Sequence, residues 1–434
     1  MPWAETFGGT SSFDGFLSNT DTTSSLEHRP LAGRSNSLEH SCLRPKSRFL
    51  SDLRCASVDS LDGLSFEIQQ SGGEKVKEVG RDAVLVGRLA TKLLGYFGVG
   101  WKWLVALIQL LAFAGLLMPG FLQMVAFYFL SARVHRSVRY GSEPRNCLDV
   151  YVPRLRWLTQ KGPRPVVVYV TGGAWVIGYK AWGALVGRRL SQRGVLVFCL
   201  DYRNFPQGTA LDMLEDVNRG ISWVLERCQY FGGDPERVHL VSQSAGAQIA
   251  GLALIKQAMK SCGRKVRHGA SPPWDPLQIK GFVGVSGAYD LQELQKHLHG
   301  RGMYESLFRD IFTLDGRVAY KDLSPSYAVL ELTSEEWRVL PPMLLLHGTH
   351  DRTVPPHIAQ KFFRALKKSG GRLVELKLLE GKTHTSPIVE DPLCGKDTML
   401  DEILSSIQGE EVRCFAFPMV PRFLARIAGS LSPF

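Results

Sequence analysis

Twenty-eight consecutive residues, 103–130, contain no aspartate, glutamate, lysine, arginine or histidine. About 20 apolar residues are enough to cross a bilayer as a helix, whereas a core helix of this length would have to be buried on every side. Trp101 and Lys102 before the run, and Arg133 after it, are typical of side chains at a membrane interface. We therefore expect this run to insert into a membrane, and a buried core helix is the alternative.

The form of that insertion is left open by the sequence. Met118-Pro119-Gly120 interrupts the run near its middle, and proline removes a backbone donor and disturbs the preceding helical turn. A kinked span, a re-entrant hairpin and two short helices all fit the pattern. Basic residues flank the run on both sides, so the distribution of charge does not predict an orientation.

Composition excludes several classes of protein. Apolar residues make up 44% of the 434 residues and charged residues 21%, with a net charge of +11, which is ordinary for a globular chain. We find no zinc-finger spacing, RNP-type aromatic motif or long basic block, so an anionic membrane surface explains the charge as well as nucleic acid does. The eight cysteines form no C-x-x-C pair, which predicts reduced thiols and no metal or other cofactor.

Shifts in composition suggest four segments. Residues 1–80 are rich in Ser, Thr, Gly and Asp and resemble a disordered tail. Residues 81–139 contain the apolar run and are predicted to be a membrane-associated helical segment. Residues 140–412 have the pattern of a catalytic domain, and residues 413–434 form an amphipathic segment that packs on the domain or lies on the membrane.

After Tyr140 the chain alternates between short apolar runs and helical stretches such as 211–227 and 357–368. The apolar runs predict strands at residues 166–170, 195–200, 238–241, 281–285, 343–346 and 374–379. Strands that alternate with helices predict an α/β fold with a mostly parallel sheet covered on both faces. Ligands bind such sheets at the carboxyl ends of the strands.

The third of these runs is followed by Ser242-Gln243-Ser244-Ala245-Gly246. This is nearly G-x-S-x-G, the tight turn that raises a nucleophilic serine between a strand and a helix. Ser244 is the candidate nucleophile, although Ser242 stands where the motif has glycine. After the first run, Thr171-Gly172-Gly173-Ala174 offers backbone N–H groups for an oxyanion hole, which the N–H of Ala245 would complete.

Two further loops supply a carboxylate and an imidazole. Asp351 follows the fifth run, and His384 lies in the loop after the sixth, 33 residues further on. The order Ser, Asp, His along the chain is that of the α/β-hydrolases, in which the histidine is the base and the carboxylate orients it. His239, His350 and His357 are weaker candidates because none follows the last strand.

Longer motifs carry a resemblance to one family. RNCLDVYVP (145–153), VTGGAWVIGYKAWGALVG (170–187), LDYRNFPQGT (200–209) and GKTHT (381–385) resemble the plant isoprenylcysteine α-carbonyl methylesterases, which are membrane-bound α/β-hydrolases. The resemblance runs from about Lys92 to near the end. It assigns the nucleophile, acid and base to Ser244, Asp351 and His384. It assigns oxyanion and substrate contacts to Gly172, Gly173, Ala174, Gln243 and Ala245.

The resemblance implies hydrolysis of the methyl ester on the carboxyl-terminal prenylcysteine of processed CaaX proteins, with release of methanol. It also implies a place at endoplasmic reticulum and Golgi membranes, with the catalytic domain facing the cytosol. The partners would be prenylated, methylated protein termini and membrane lipid. A membrane-anchored acyl esterase of the hormone-sensitive-lipase type and a non-catalytic hydrolase-fold receptor are the alternatives. This chain shares Thr171 with the family and departs from it at Ser242, where the family has glycine.

Overall fold

The computed structural model describes residues 84, 101–153, 162–301, 305–396, 398–413 and 416–432. The predicted tail, residues 1–80, lies outside the described residues, as does most of the stretch that precedes the apolar run. The four predicted segment boundaries therefore stay predictions.

Eight strands form one sheet in the order β1-β2-β4-β3-β5-β6-β9-β10. The pairs β1/β2 and β2/β4 are antiparallel and all others are parallel. A two-stranded ribbon, β7/β8, lies apart from the sheet. The strands are β1 Val134–Arg139, β2 Cys147–Tyr151, β3 Arg164–Val170, β4 Leu196–Leu200, β5 Gly233–Gln243, β6 Ile279–Val285, β7 Thr313–Leu314, β8 Arg317–Val318, β9 Met343–Gly348 and β10 Val374–Leu379.

The six predicted strands are confirmed as β3, β4, β5, β6, β9 and β10, and the mostly parallel sheet is confirmed with them. Parallel strands buried on both faces are continuous apolar runs, which makes them easy to recognise. Strands β1 and β2 carry no local signal in the sequence, because β1 is a half-buried edge strand and β2 places Asp149 between apolar residues.

Residues 101–432, apart from the gaps given above, contain twelve α-helices, and several short 3₁₀ turns lie between them. The α-helices are α1 Trp101–Leu130, α2 Ala184–Ser191, α3 Ala210–Arg227, α4 Ala245–Ser261, α5 Leu291–Gly300, α6 Glu305–Ile311, α7 Pro325–Ala328, α8 Ser334–Arg338, α9 Pro356–Lys368, α10 Glu390–Leu393, α11 Thr398–Gln408 and α12 Arg422–Leu431. Helices α3 and α9 confirm the two predicted helical stretches to within one residue.

Two buried clusters cover the two faces of the sheet. Because side chains alternate along a strand, Val166 and Val168 of β3 belong to one cluster, and Val167 and Tyr169 belong to the other. The second cluster continues outward into α1, α2, α11 and α12. The segment between β6 and β9 adds α5–α8 above the carboxyl ends of the strands.

The apolar run forms one continuous helix, α1, with Pro119 inside it. Among the described residues, α1 is the helix that could cross a membrane by length and composition. Of the three predicted forms, neither the hairpin nor the pair of short helices is observed. The run is also packed against the protein along one side, where Phe113, Leu117, Met124 and Tyr128 are buried.

Candidate active site

Three loops at the carboxyl ends of neighbouring strands bring the candidate residues together. Ser244 follows β5, Asp351 follows β9, and His384 follows β10. In the sheet order β5-β6-β9-β10 these ends lie at one edge, where ligands of parallel sheets bind. All three side chains are buried, so their mutual contacts are protected from bulk water.

Ser244 occupies a strained turn between β5 and α4, with φ 54° and ψ −122°. Positive φ is unfavourable for a residue with a side chain, and such strain collects at functional sites. The turn requires small neighbours, because a Cβ on Gly246 would lie 2.4 Å from the carbonyl oxygen of Val170 and 2.5 Å from that of Thr171. The structure therefore has the local geometry of a nucleophile elbow.

Ser242 fits the position where the motif has glycine. Its side chain is fully buried within β5, and its hydroxyl lies 3.4 Å from the carbonyl oxygen of Val283. The hydroxyl thus has a weak local partner and does not face the imidazole of His384.

The imidazole of His384 lies between the serine and the carboxylate. Its Nε2 is 3.0 Å from Oγ of Ser244, and its Nδ1 is 2.7 Å from Oδ2 of Asp351. A carboxylate at Nδ1 favours the tautomer with the proton on that nitrogen, which leaves Nε2 free to accept the serine proton. The arrangement is that of a serine nucleophile, a general base and an orienting acid.

Asp351 is held as an ion by its surroundings. Burial alone would raise the pKa of Asp351, but the attraction of His384 and the hydrogen bonds from His347 and His384 keep it well below its usual range. Its Oδ1 also accepts hydrogen bonds from the backbone N–H groups of Thr353 at 2.9 Å and Val354 at 2.8 Å. The carboxylate is therefore fixed and ionised opposite the imidazole.

His347 is a neighbour that sequence reasoning missed. It is fully buried in β9, with Nε2 2.7 Å from the carbonyl oxygen of Val354 and 3.3 Å from Oδ2 of Asp351. It lies four residues before Asp351, and this spacing could have indicated a contact between the two side chains. A histidine within an apolar strand, however, is typical of a structural core residue.

The competing histidines lie elsewhere. His350 is exposed, and His357 is on the surface near Glu293. His239 is buried within β5, and burial lowers its pKa to about 4. Within the part of the chain that the structure describes, none of the three forms a hydrogen bond with Ser244.

The glycine loop after β3 lies directly against the nucleophile. A Cβ on Gly172 would be 2.2 Å from Oε1 of Gln243 and 2.8 Å from Cβ of Ser244. Gly173 has φ 139° and Ala174 has φ 49°, so the loop turns sharply here. Ala245 begins α4, where the first N–H groups have no acceptor within the helix and favour negative charge.

Two sets of contacts hold that loop in place. Gly178 lies close to Gly173, since a Cβ on Gly173 would be 2.2 Å from its backbone nitrogen. The carbonyl oxygen of Gly178 accepts hydrogen bonds from the side chains of Arg145 and Asn204. Trp175 donates from Nε1 to Oε1 of Gln248 at 2.9 Å. The indole also packs edge-on against two rings of the segment between β6 and β9, Phe308 and Phe312. These supports were not predicted, because they join distant parts of the chain.

Gln243 stands beside the imidazole as well as the glycine loop. Its side-chain nitrogen is 3.3 Å from Nε2 of His384, close to the position of the serine hydroxyl. An amide there can donate a hydrogen bond to the imidazole or to a bound substrate. The predicted substrate-contact role of Gln243 stays a prediction.

Within the described part of the chain, no group of three or more His, Cys, Asp or Glu side chains has the arrangement of a metal site. Five cysteines in that part are unpaired thiols, of which Cys262 is exposed.

Glu390 contacts the loop that carries His384. Thr385 donates to Oε1 of Glu390 at 2.9 Å. Burial raises the pKa of Glu390 to about 7, and the nearby Asp391 adds to that effect, while hydrogen bonds and Lys382 oppose it. The folded protein therefore binds this proton more tightly than an unfolded chain, in which the pKa is near 4.5.

A pH-dependent stability follows from Glu390. As the pH rises from about 5 to 8, the folded state must lose a proton that the unfolded state has already lost, so the free energy of unfolding should fall by up to about 3 kcal/mol. Urea titrations at a series of pH values measure this free energy. Between about pH 5 and 8 it should fall with pH in wild type and change less in Glu390→Gln. Glu236→Gln, at an exposed carboxylate, should match wild type; parallel curves for wild type and Glu390→Gln would contradict the assignment.

The fold and the geometry define the class of this protein. The strand order, with one antiparallel strand pairing at each side of β2, and the loops after β3, β5, β9 and β10 are those of an α/β-hydrolase. The chain matches the BD-FAE family over residues 148–366. A truncated carbohydrate esterase from gut microbiota has the same fold, with a TM-score of 0.50 and 17% identity, over 63% of this chain and 96% of that one.

Sequence relatives narrow the class. The chain is 44% identical to a probable isoprenylcysteine α-carbonyl methylesterase of Arabidopsis thaliana over 376 residues, which cover 84% of this chain and 86% of the relative. It is 43% identical to the isoprenylcysteine α-carbonyl methylesterase of the same plant, over 84% of this chain and 85% of that one. The chain belongs to the isoprenylcysteine α-carbonyl methylesterase family, and it is a carboxylic ester hydrolase.

Proposed function

We propose that this protein hydrolyses the methyl ester of a carboxyl-terminal prenylcysteine, through Ser244, His384 and Asp351, and releases methanol. The observation that carries the proposal is the chain of contacts from Ser244 to His384 to Asp351, at 3.0 and 2.7 Å, in a member of this family. Relatives that are 43–44% identical to this chain are a probable and a named isoprenylcysteine α-carbonyl methylesterase, which supports the choice of substrate.

Ser244 attacks the ester carbonyl while His384 accepts its proton at Nε2. Asp351, ionised and fixed by two backbone N–H groups, stabilises the imidazolium that forms. This pairing of nucleophile, base and orienting acid is the standard solution for acyl transfer at neutral pH. His384 then returns the proton to the leaving methoxide, and methanol departs.

The tetrahedral intermediate places negative charge on the former carbonyl oxygen. The N–H groups of Gly172, Gly173, Ala174 and Ala245 belong to the glycine loop that lies against Ser244 and to the helix that follows it, and they are the proposed donors to that oxygen. A set of fixed donors of this kind is worth several kcal/mol in the barrier, because it needs no reorganisation during the reaction. Water then attacks the acyl-enzyme by the same route and frees the prenylcysteine carboxylate.

The substrate class fits a protein held at a membrane. A farnesyl or geranylgeranyl chain partitions into a bilayer. The exposed apolar surface of α1 suits contact with the same bilayer. The protein is proposed to work at endoplasmic reticulum and Golgi membranes with its catalytic domain on the cytosolic side, where prenylated carboxyl termini lie. Its partners are then prenylated, methylated protein termini and membrane lipid.

A panel of esters tests the substrate class. Purified full-length enzyme in lipid should cleave a farnesylcysteine methyl ester with a kcat/KM at least about tenfold above that for short acyl esters and for a sterol ester. The reason is that only the first combines a small alcohol leaving group with a prenyl chain. Robust cleavage of the acyl esters with none of the prenylated ester would replace the proposal with an acyl esterase.

A fluorophosphonate probe addresses the remaining alternative, a receptor that keeps the fold without catalysis. We expect the probe to label wild type and to spare Ser244→Ala. Failure to label the wild-type protein would favour the receptor.

A further inference from the structure

Helix α1 has two different long faces, although from residue 103 to its end its sequence contains no charged residue. One face contacts the protein through buried side chains four or seven residues apart, namely Phe113, Leu117, Met124 and Tyr128. The opposite face is exposed and equally apolar, with Ile108, Leu111, Met118, Leu122 and Val125 between 43% and 63% exposed. An exposed aliphatic stripe of this length on a soluble domain marks an interaction surface.

The packed face extends too far along α1 for the helix to cross a bilayer. The buried contacts run from Phe113 to Tyr128, which leaves residues 101–112 as the part of the helix beyond them. At 1.5 Å per residue these residues make about 18 Å of helix, well short of the hydrocarbon thickness of about 30 Å. A span would require the packed face to leave the domain.

That separation is opposed by close packing at Gly120. A Cβ on Gly120 would lie 2.6 Å from Cγ2 of Val420 and 2.8 Å from Cδ2 of Leu393. Nearby, Gln123 donates from its side chain to the carbonyl oxygen of Met419 at 3.1 Å. The helix therefore fits closely against the end of α10 and against the chain that leads into α12, as a structural layer of the domain.

It is also opposed by a buried polar cluster at the end of α1. The hydroxyl of Tyr128 donates to Oδ2 of Asp149 at 2.7 Å, and Nζ of Lys180 lies 3.5 Å from Oδ1 of the same carboxylate. Asp149 and Lys180 are both buried. Withdrawing Tyr128 would remove a hydrogen bond from a buried carboxylate, which is costly.

Helix α12 continues the exposed apolar surface. It packs on α1 through the second buried cluster, to which Ala425 and Ala428 belong. Its outer face exposes Phe423 and Ile427, with the exposed Arg422 and Arg426 beside them. The sequence left open whether this segment packs on the domain or lies on a membrane, and its two faces allow it to do both.

The charges around these two helices favour one occupant. Neither α1 nor α12 contains an aspartate or a glutamate. Basic side chains lie at their edges: Arg422 and Arg426 on α12, and the guanidinium of Arg188 over the ring of Phe127, 5.0 Å from its centroid. An apolar stripe bordered by cations matches the interface of a bilayer that contains anionic lipids.

We propose that the outer faces of α1 and α12 together form a surface that lies in the plane of a membrane, in the cytosolic leaflet of an anionic bilayer, and that α1 does not cross it. The protein is then bound to one side of the membrane as a whole. Its amino-terminal segment and its catalytic domain lie on the same side. This surface is independent of which ester the site cleaves.

The first test is topological. Cys42 and Cys55 precede α1 in the sequence, and Cys262 is exposed on the catalytic domain. In a Cys414→Ser background, full-length protein inserted into sealed microsomes is treated with a membrane-impermeant maleimide. One variant keeps only the tail pair among the accessible thiols, by Cys147→Ser and Cys262→Ser, and a second keeps only Cys262, by Cys42→Ser, Cys55→Ser and Cys147→Ser. Cys199, Cys228 and Cys394 stay in both variants because they are buried.

Both variants should label to the same extent before and after the membrane is permeabilised. If one of them labels only after permeabilisation, α1 crosses the membrane and the proposal is overturned. The chain has no N-x-S/T sequon, so a sequon introduced near residue 80 gives a second reading. It should remain unglycosylated, and glycosylation there would likewise overturn the proposal.

The second test addresses the surface itself. Leu111→Glu with Leu122→Glu changes two side chains that are 63% and 60% exposed. Affinity for phosphatidylcholine vesicles containing phosphatidylserine should fall at least about tenfold, while hydrolysis of a soluble short-chain ester stays unchanged and reports the fold. Leu277→Glu with Leu373→Glu, which alters residues that are 54% and 70% exposed elsewhere, is the matched control and should bind as wild type does.

Equal vesicle affinity for wild type and the Leu111/Leu122 variant would overturn the proposal. A second result would also overturn it. If wild type forms a dimer in lipid-free buffer, and the same variant is monomeric but binds vesicles as well as wild type does, the face pairs with a second copy of the chain. Activity on the soluble ester, measured in both tests, separates a failure here from a failure of the proposed function.

Discussion

Replacing Ser244 with alanine is expected to lower kcat/KM for any ester substrate by roughly 10⁴-fold or more. The substitution removes the hydroxyl that lies 3.0 Å from Nε2 of His384, and it leaves the proposed oxyanion donors in place. Residual activity should come from those donors and from binding alone. Initial rates with a soluble short-chain ester, at matched enzyme concentrations, measure the effect.

Ser242→Gly is the control for that substitution, because it changes the other serine of the same turn. It removes a buried hydroxyl whose partner is a carbonyl oxygen at 3.4 Å and restores the residue that the motif prefers. Activity should stay within about tenfold of wild type, which corresponds to roughly 1.4 kcal/mol in the barrier. If Ser242→Gly were the inactive variant and Ser244→Ala the active one, the nucleophile would be misassigned.

Replacing Asp149 with alanine is expected to lower the free energy of unfolding by about 3–5 kcal/mol. Lys180 would be left as a buried cation without its carboxylate at 3.5 Å, and Tyr128 and the backbone N–H of Ser137 would lose the acceptor that they share. The loss is large because the side chains of Lys180 and Tyr128 are buried and cannot replace the carboxylate with water. Guanidinium titrations followed by tryptophan fluorescence measure it.

A surface ion pair provides the comparison. Glu411 and Arg413 form a salt bridge at 3.0 Å with both side chains more than three-quarters exposed, and exposed pairs contribute about 0–1 kcal/mol. Glu411→Ala should therefore leave the unfolding midpoint nearly unchanged. A similarly small effect of Asp149→Ala would mean that the cluster does not hold α1 to the domain.

The parts of this protein that the sequence predicted well are those with a local signal. Strands such as β3 and β9 are short apolar runs, and each predicted site residue stands a few positions after one of them. Because the carboxyl ends of parallel strands share one edge, the order of Ser244, Asp351 and His384 along the chain was enough to place them together. The bulk limit at Gly246 also follows from the tight turn.

The parts that were missed depend on contacts between distant segments. Asp149 in β2, Tyr128 in α1 and Lys180 after β3 form one cluster, and nothing in the three local sequences indicates their meeting. The aromatic contacts of Trp175 with Phe308 and Phe312 have the same origin. Helix α1 shows a further limit, since a run that is apolar on every side has no periodicity from which to infer which face packs on the protein.

The most direct test of the central proposal is the release of methanol from a carboxyl-methylated farnesylcysteine by the full-length protein. Wild type should release one methanol for each free prenylcysteine carboxylate formed. Ser244→Ala should release methanol roughly 10⁴-fold more slowly than wild type, or slower still. Equal rates for the two proteins, or no release by wild type while it cleaves short acyl esters, would contradict the proposal.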